Sequence, residues 1–209
     1  MNQNEVATPD ATKRRCATIR RKTRETEVDV TLDLDGRGRA LVATGIPFLD
    51  HMVTALACHA RFDLELTARG DLEVDDHHTV EDTALALGAA LDRALGDKRA
   101  IRRFGSAFAP LDEALARAVV DLSGRPFARV RLRLVRERLG TLACENAGHF
   151  FRSLATAARL TLHLDVVRGR NDHHQLEAAF KAVALALREA VACDERVGDE
   201  VPSTKGTLT

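Results

Sequence analysis

His77-His78-Thr79-Val80-Glu81 and His173-His174-Gln175-Leu176-Glu177 are two copies of one five-residue pattern, HHxxE, within a single chain of 209 residues. Each opens an apolar run with helical period. Leu85, Leu87, Leu91 and Leu95 follow the first block, and Phe180, Val183, Leu187 and Val191 follow the second. Asp75-Asp76 precede one pair and Asn171-Asp172 the other, so a helix N-terminus falls just before each pair of histidines.

Helix geometry says what such a block can do. Residues i and i+4 share a face, about 6 Å apart along the axis. His77 with Glu81, and His173 with Glu177, can each grip one ion. The second histidine of each pair lies about 100° round the helix and serves a different ion. Two blocks with one grip and one spare imidazole each suggest two metals, with ligands exchanged between the halves. A single HHxxE reads more readily as a polar helix cap than as a metal site; two in one chain, each preceded by a further histidine at a similar distance, reverse that.

Working outward, residues 1–15 read as a flexible arm. Strand-like runs follow over 18–23, 27–34 and 39–43, with Asp35-Gly36-Arg37-Gly38 turning a hairpin between the last two. Asp33-Leu34-Asp35-Gly36 has a trace of a phosphatase nucleophile loop, but Arg37 and Gly38 stand where that loop needs other residues, and the turn reading prevails. Residues 44–52 lead into an apolar helix to about Cys58, Phe62 to Thr67 alternates as a strand, and the first HHxxE helix runs to about Leu95. The pattern then recurs: strands over 106–111, 114–122 and 127–134, a helix over about 145–157, a strand over 160–167, and the second HHxxE helix to about Ala192. The chain is thus α+β and internally duplicated. Its β-β-β-α-β-α halves span about 16–98 and 99–193 with a period of roughly 95–100 residues, and a tail occupies 194–209. Strands followed by helices imply mixed sheets with helices packed on one face, two such layers meeting back to back.

The duplication pairs the remaining histidines. His51 precedes His77 by 26 residues and His149 precedes His173 by 24. Repeat logic gives two quartets: His51, His78, His173 and Glu177, and His149, His174, His77 and Glu81. Three imidazoles and one carboxylate suit a first-row divalent ion, Mn, Fe or Zn, with coordination positions left open. His59 and His163 fall outside the pairing and read as structural. Arg103, Arg125 and the tail Ser203-Thr204-Lys205-Gly206 supply guanidinium, hydroxyl and ammonium groups of the kind that hold phosphate.

Composition excludes other classes. Lys+Arg 31 against Asp+Glu 31 leaves no net charge to attract nucleic acid or an acidic membrane, and without Tyr or Trp there is little to stack bases on. No stretch is apolar for long enough to span a bilayer, and the polar N-terminus is not a signal peptide. Cys16, Cys58, Cys144 and Cys193 are never spaced as CxxC, and read as buried free thiols in a reducing cytoplasm.

At these residues the chain closely resembles the imidazoleglycerol-phosphate dehydratase family of histidine biosynthesis. The resemblance covers Arg24-Glu25-Thr26, Gly45 to Met52 (GIPFLDHM), Gly70-Asp71 through Asp82, Pro110 to Ala114, Asp121 to Pro126, His149-Phe150-Phe151, Leu162-His163, Gly169 to Ala178, and Pro202 to Gly206. It implies a left-handed βαβ fold like the second domain of ribosomal protein S5, and two Mn(II) ions per active site. It also implies trimers assembling into a 24-subunit shell, with active sites between subunits. The N-terminal arm has no counterpart in the family, and with no phosphatase segment in these residues a monofunctional enzyme is expected.

The resemblance also implies a reaction. D-erythro-imidazoleglycerol phosphate loses water to give imidazole-acetol phosphate. The C–H broken is not beside a carbonyl, so the substrate's imidazole is the only electron sink, held by two metals as an imidazolate that expels hydroxide through a diazafulvene-like state. Glu25, carried over from the family's Glu-Thr motif, is expected to move the substrate proton, with Glu177 as the alternative. Arg103, Arg125, Ser203, Thr204 and Lys205 are expected to hold the phosphate. Two rivals share the ligand clusters: a binuclear metallohydrolase and a purely structural metal shell. Ferritin-like storage is disfavoured because the first forty residues and 105–135 read as strands rather than long helices.

Overall fold

The computed structural model describes residues 14–208. The first repeat comprises β1 (Cys16–Lys22), β2 (Thr26–Asp33), β3 (Ala40–Ala43), α1 (Pro47–Ala60), β4 (Asp63–Gly70) and α2 (His77–Leu95). The second comprises β5 (Phe104–Leu111), β6 (Ala114–Asp121), β7 (Phe127–Arg131), a small ribbon of β8 (Arg138–Leu139) and β9 (Leu142–Ala143), α3 (Cys144–Ala157), β10 (Thr161–Arg168) and α4 (Asp172–Val191). Apart from that ribbon, the halves follow the expected order.

Each repeat builds a four-stranded mixed sheet, ordered β1-β2-β4-β3 and β5-β6-β10-β7. The strands form where apolar and polar residues alternate. Val28, Val30 and Leu32 on β2, and Ala116, Ala118 and Val120 on β6, face inward and are buried, while their neighbours face out. The helices lie on the inner faces, α2 against β1 and β2, α4 against β5 and β6. They pair across the repeats, α2 with α3 and α1 with α4. Small residues permit this close approach. A Cβ on Gly88 would lie 2.6 Å from the Leu154 carbonyl oxygen across the α2–α3 pair, and within the second repeat one on Gly105 of β5 would lie 2.0 Å from the carbonyl oxygen of Ala186 on α4. Phe150, Phe151 and Phe180 fill the centre with ring centroids 4.6–5.6 Å apart.

Two expectations need correction. Asp35 to Gly38 does not close a hairpin, because β4 enters between β2 and β3: β2 pairs with β4 antiparallel and β3 pairs with β4 in parallel. Asp63, the first residue of β4, directs this crossing. Its Oδ1 accepts the backbone N–H groups of Arg37 (2.8 Å) and Arg39 (3.0 Å), and its Oδ2 receives the Arg39 guanidinium. The cysteines are free but not buried. Cys16, Cys58 and Cys193 are exposed and Cys144 is half-buried. Cys16 falls on the outward phase of β1, and Cys193 lies beyond the end of α4.

Of the expected arm, residues 1–13 lie outside the described residues. Arg15 is pinned to the fold by Asp35 and by the Val191 carbonyl. Among the described residues no helix is long and apolar enough to cross a membrane.

Candidate metal centre

Each HHxxE block lies at the N-terminus of its helix, as the acidic and amide residues before it require. Asn171 caps α4 through a side-chain oxygen that accepts the His173 N–H at 2.9 Å. At α2 the N-cap residue, Asp76, makes no side-chain cap bond, and the carboxylate of Asp75 before it accepts the His77 N–H at 2.7 Å instead. The adjacent Asp76 turns away and accepts the N–H of Ala143, also at 2.7 Å. The shorter helix α1 starts at Pro47, whose fixed φ suits the first helical position, with Asp50 accepting both the N–H and the hydroxyl of Thr44. That start points His51 at α4.

Cross-repeat helix pairing then gathers the candidate ligands. His51 of α1 joins His173 and Glu177 of α4, and His149 of α3 joins His77 and Glu81 of α2. Within each group one ligand atom from every residue lies within 4.8 Å of the others. Glu177 Oε2 is 3.2 Å from Nε2 of both His51 and His173, and Glu81 Oε1 is 3.1 Å from His149 Nε2. These spacings suit a small cation seated between the atoms, and two imidazoles with one carboxylate suit a borderline divalent ion. Phe48 sets its ring edge-on to His173 at 5.0 Å and to His51 at 6.4 Å, forming one wall.

His78 and His174, expected to complete the quartets, join neither group. They occupy matching places elsewhere. His78 Nδ1 binds Asp71 at 3.0 Å, and its Nε2 is 3.8 Å from Glu25. His174 Nδ1 binds Glu113 at 2.8 Å, and its Nε2 is 3.9 Å from Asp112. The Asp71 hydrogen bond raises the His78 pKa above its ordinary value against the pull of burial, and the Glu113 hydrogen bond does the same for His174. His174, in turn, is the largest influence holding the Glu113 carboxyl down to about 2, helped by the N–H groups of Asn171 and Arg170. Burial works against ionisation of Glu177, but Lys181 (Nζ 2.7 Å from Oε1) and His51 outweigh it and keep the carboxyl below its usual range.

The residues expected to hold phosphate lie toward one corner. Arg103 forks onto Asp121 (2.7 and 3.1 Å) and donates to the Pro202 carbonyl at 2.9 Å. It therefore ties the tail bearing Ser203, Thr204 and Lys205 to the end of β6, where the Ser123–Pro126 turn presents an exposed Arg125. This corner lies at the far end of α4 from the ligands, since the Arg103 N–H donates to the Ala190 carbonyl. At 1.5 Å rise per residue, His173 and Ala190 are about 25 Å apart. His59 and His163 stay outside both groups; burial lowers the His59 pKa, and His163 packs against Phe127 at 5.6 Å.

Comparison with known proteins decides the family. The family model described as imidazoleglycerol-phosphate dehydratase matches residues 44–187. The chain belongs to the imidazoleglycerol-phosphate dehydratase family. The dehydratase of Cereibacter sphaeroides is 55% identical over 194 residues, covering 93% of this chain and all of that one. That of Phytophthora nicotianae is 59% identical over 192 residues, 92% of this chain but 42% of its own length. The crystal structure of the Staphylococcus aureus dehydratase superposes with a TM-score of 0.78 at 36% identity, covering 86% of this chain and 99% of that one.

Within this dehydratase four residues around the ligands escaped sequence reading: Asp71, Glu113 and Asn146, which hold Nδ1 of His78, His174 and His77, and Lys181, which holds Glu177. Only Lys181 carried a signal, standing one further turn along the face of His173 and Glu177. Glu113 and Asn146 stand 61 and 69 residues from the histidines they orient, and Asp71, seven residues before His78, lies across the turn between β4 and α2. With Nδ1 held, Nε2 of each ring is the nitrogen left for a metal, the arrangement common to ligating imidazoles.

Proposed function

We propose that this dehydratase works in histidine biosynthesis, converting D-erythro-imidazoleglycerol phosphate to imidazole-acetol phosphate with two divalent ions, Mn(II) foremost, at an active site shared between copies of the chain. The two cross-repeat ligand groups carry this reading. One ion belongs with His51, His173 and Glu177, the other with His77, Glu81 and His149. His78 and His174 of neighbouring copies supply the fourth ligands.

Distance supports the sharing. Within one chain the phosphate handles lie about 25 Å from the ligands of α4, too far for one small phosphate ester to bridge. The outer face of the second sheet supports assembly too. Phe104, Phe108, Val119 and Phe127 stand exposed there, an apolar patch of the kind that a neighbouring subunit covers.

When bound, the ions supply Lewis acidity that makes the substrate ring a better electron sink, as zinc lowers the pKa of water from about 15.7 to about 7. The chain's own residues do the rest. Arg125, Ser203, Thr204 and Lys205 hold the phosphate, and Arg103, braced by Asp121, fixes the tail that carries three of them. Glu25 is exposed on its turn and faces Nε2 of His78, where it moves the substrate proton as the hydroxyl departs. A positioned acid–base group of this kind contributes about 10²–10⁴-fold.

The test is to strip the protein with chelator and add back Mn(II), following dehydration, inorganic phosphate release and particle mass together. Loss and recovery of dehydration without phosphate release supports the reading. Phosphate release in its place means a metallohydrolase, and full turnover after stripping removes the metals from the reaction.

A further inference from the structure

We propose that Asp82 is the positioning residue that locks the Glu25 turn onto the metal-bearing helix α2, an inference that rests on the reading of Glu25 as proton carrier. Asp82 directly follows Glu81, but its carboxylate points the other way, into the sheet, with only 8% of the side chain exposed. There it accepts the Thr26 hydroxyl and pairs with Arg21 Nη2 at 2.8 Å. Thr26 is the last residue of the turn that carries Glu25. Thr23 closes that turn from the other side, its Oγ1 accepting the N–H groups of Glu25 (3.1 Å) and Thr26 (2.9 Å). The turn also has little room to slide: a Cβ on Gly70 would lie 2.1 Å from Thr79 Oγ1 and 3.3 Å from Thr26 Cγ2. One helix thus carries a ligand at Glu81 and, on the next residue, an anchor for the acid–base turn.

The second repeat serves as an internal control. Ala114 and Gln175 crowd Gly169 as Thr26 and Thr79 crowd Gly70, so Thr26 corresponds to Ala114, Glu25 to Glu113, and Asp82 to Ala178. The second repeat has no polar anchor at these places. Its carboxylate is fixed instead by bonding His174 Nδ1 and the N–H groups of Arg170 and Asn171. In the first repeat the Glu25 carboxylate is left to face Nε2 of His78 at 3.8 Å, and the anchor sits behind the turn. A carboxylate kept free for proton transfer needs its backbone held by something other than its own side chain, and Asp82 supplies that hold.

The test uses the metal-loaded full-length protein. Asp82→Asn and Thr26→Val should lower kcat about ten- to hundredfold with KM and metal content unchanged, since small misplacement of a reacting group costs rate on this scale. Thr26→Ser, which keeps the hydroxyl, should keep most of the rate. The double variant Glu25→Gln/Asp82→Asn should be no slower than Glu25→Gln alone. Multiplicative losses in the double variant, an unchanged kcat in Asp82→Asn, or a loss cured by added Mn(II) would each overturn the assignment, the last by tracing the effect to Glu81. If Glu25→Gln itself turns over normally, the proton-carrier reading fails. The anchor is then decided by amide exchange, which in Asp82→Asn should quicken at Glu25 and Thr26 and, if unchanged, refutes it.

Discussion

Asp76 and Asp172 occupy the same position in the two repeats, and both hold the same connecting segment, residues 132–143. Asp172 Oδ2 accepts the N–H groups of Val135 (2.9 Å) and Arg136 (2.7 Å), and Asp76 Oδ2 accepts that of Ala143 (2.7 Å). The segment belongs only to the second repeat, yet it is fastened to the N-termini of both HHxxE helices. It is therefore a strap across the helix ends that carry the HHxxE blocks.

Replacing Asp172 by Ala should loosen that strap. The carboxylate is buried and also accepts from Gln175, so its removal leaves three donors without a partner. The expected destabilisation is about 2–4 kcal/mol, read from the urea midpoint, with faster amide exchange at Val135 and Arg136.

The equivalent carboxylates Glu25 and Glu113 should separate cleanly. Glu25→Gln should retain metal and lose at least two decades of turnover. Glu113→Gln removes the group that orients His174 and should weaken Mn(II) binding about 10–100-fold, with turnover recovering at high metal concentration. Metal titrations and saturating-metal kcat on both variants distinguish the roles.

Asp63 predicts an acid dependence with a defined sign. The Arg39 guanidinium, then the backbone N–H groups of Arg39 and Arg37, hold its carboxyl well below the ordinary range. In the unfolded chain it titrates near about 3.9. Its contribution is therefore complete above that pH and is lost as pH falls toward the folded value. The stability difference between the parent and Asp63→Asn should be constant above about pH 5 and shrink below about pH 4, as urea melts across that range would show.

These contrasts mark what the sequence made legible. The HHxxE blocks announced the duplication, and helix spacing alone paired His77 with Glu81 and His173 with Glu177. Histidine spacing placed His51 and His149 with the opposite repeats, because cross-repeat pairing of α1 with α4 and α2 with α3 is what a duplicated unit with one buried helical layer produces. The strand order was not legible. Asp35-Gly36-Arg37-Gly38 has the composition of a hairpin turn, and only the long-range capture of Arg37 and Arg39 by Asp63 shows that β4 intervenes. Nor could spacing reveal that His78 and His174 turn toward Asp71 and Glu113, since those contacts join segments with no local signal.

If sites are shared, two inactive variants should complement one another. Glu177→Ala disables one ligand group, and His78→Ala removes its proposed fourth ligand from a different copy. Co-assembly from a mixture unfolded and refolded together should restore a measurable fraction of turnover, whereas each variant alone stays inactive. No recovery in verified mixed particles would mean that each chain builds its own site.

The most direct test is a crystal structure of the manganese-loaded protein with anomalous scattering recorded at the metal edge. Two manganese peaks per chain are predicted, one among His51, His173 and Glu177 and one among His77, Glu81 and His149, each completed by a histidine from a neighbouring copy. A single peak, or imidazoles turned away from any common cavity, would contradict the account.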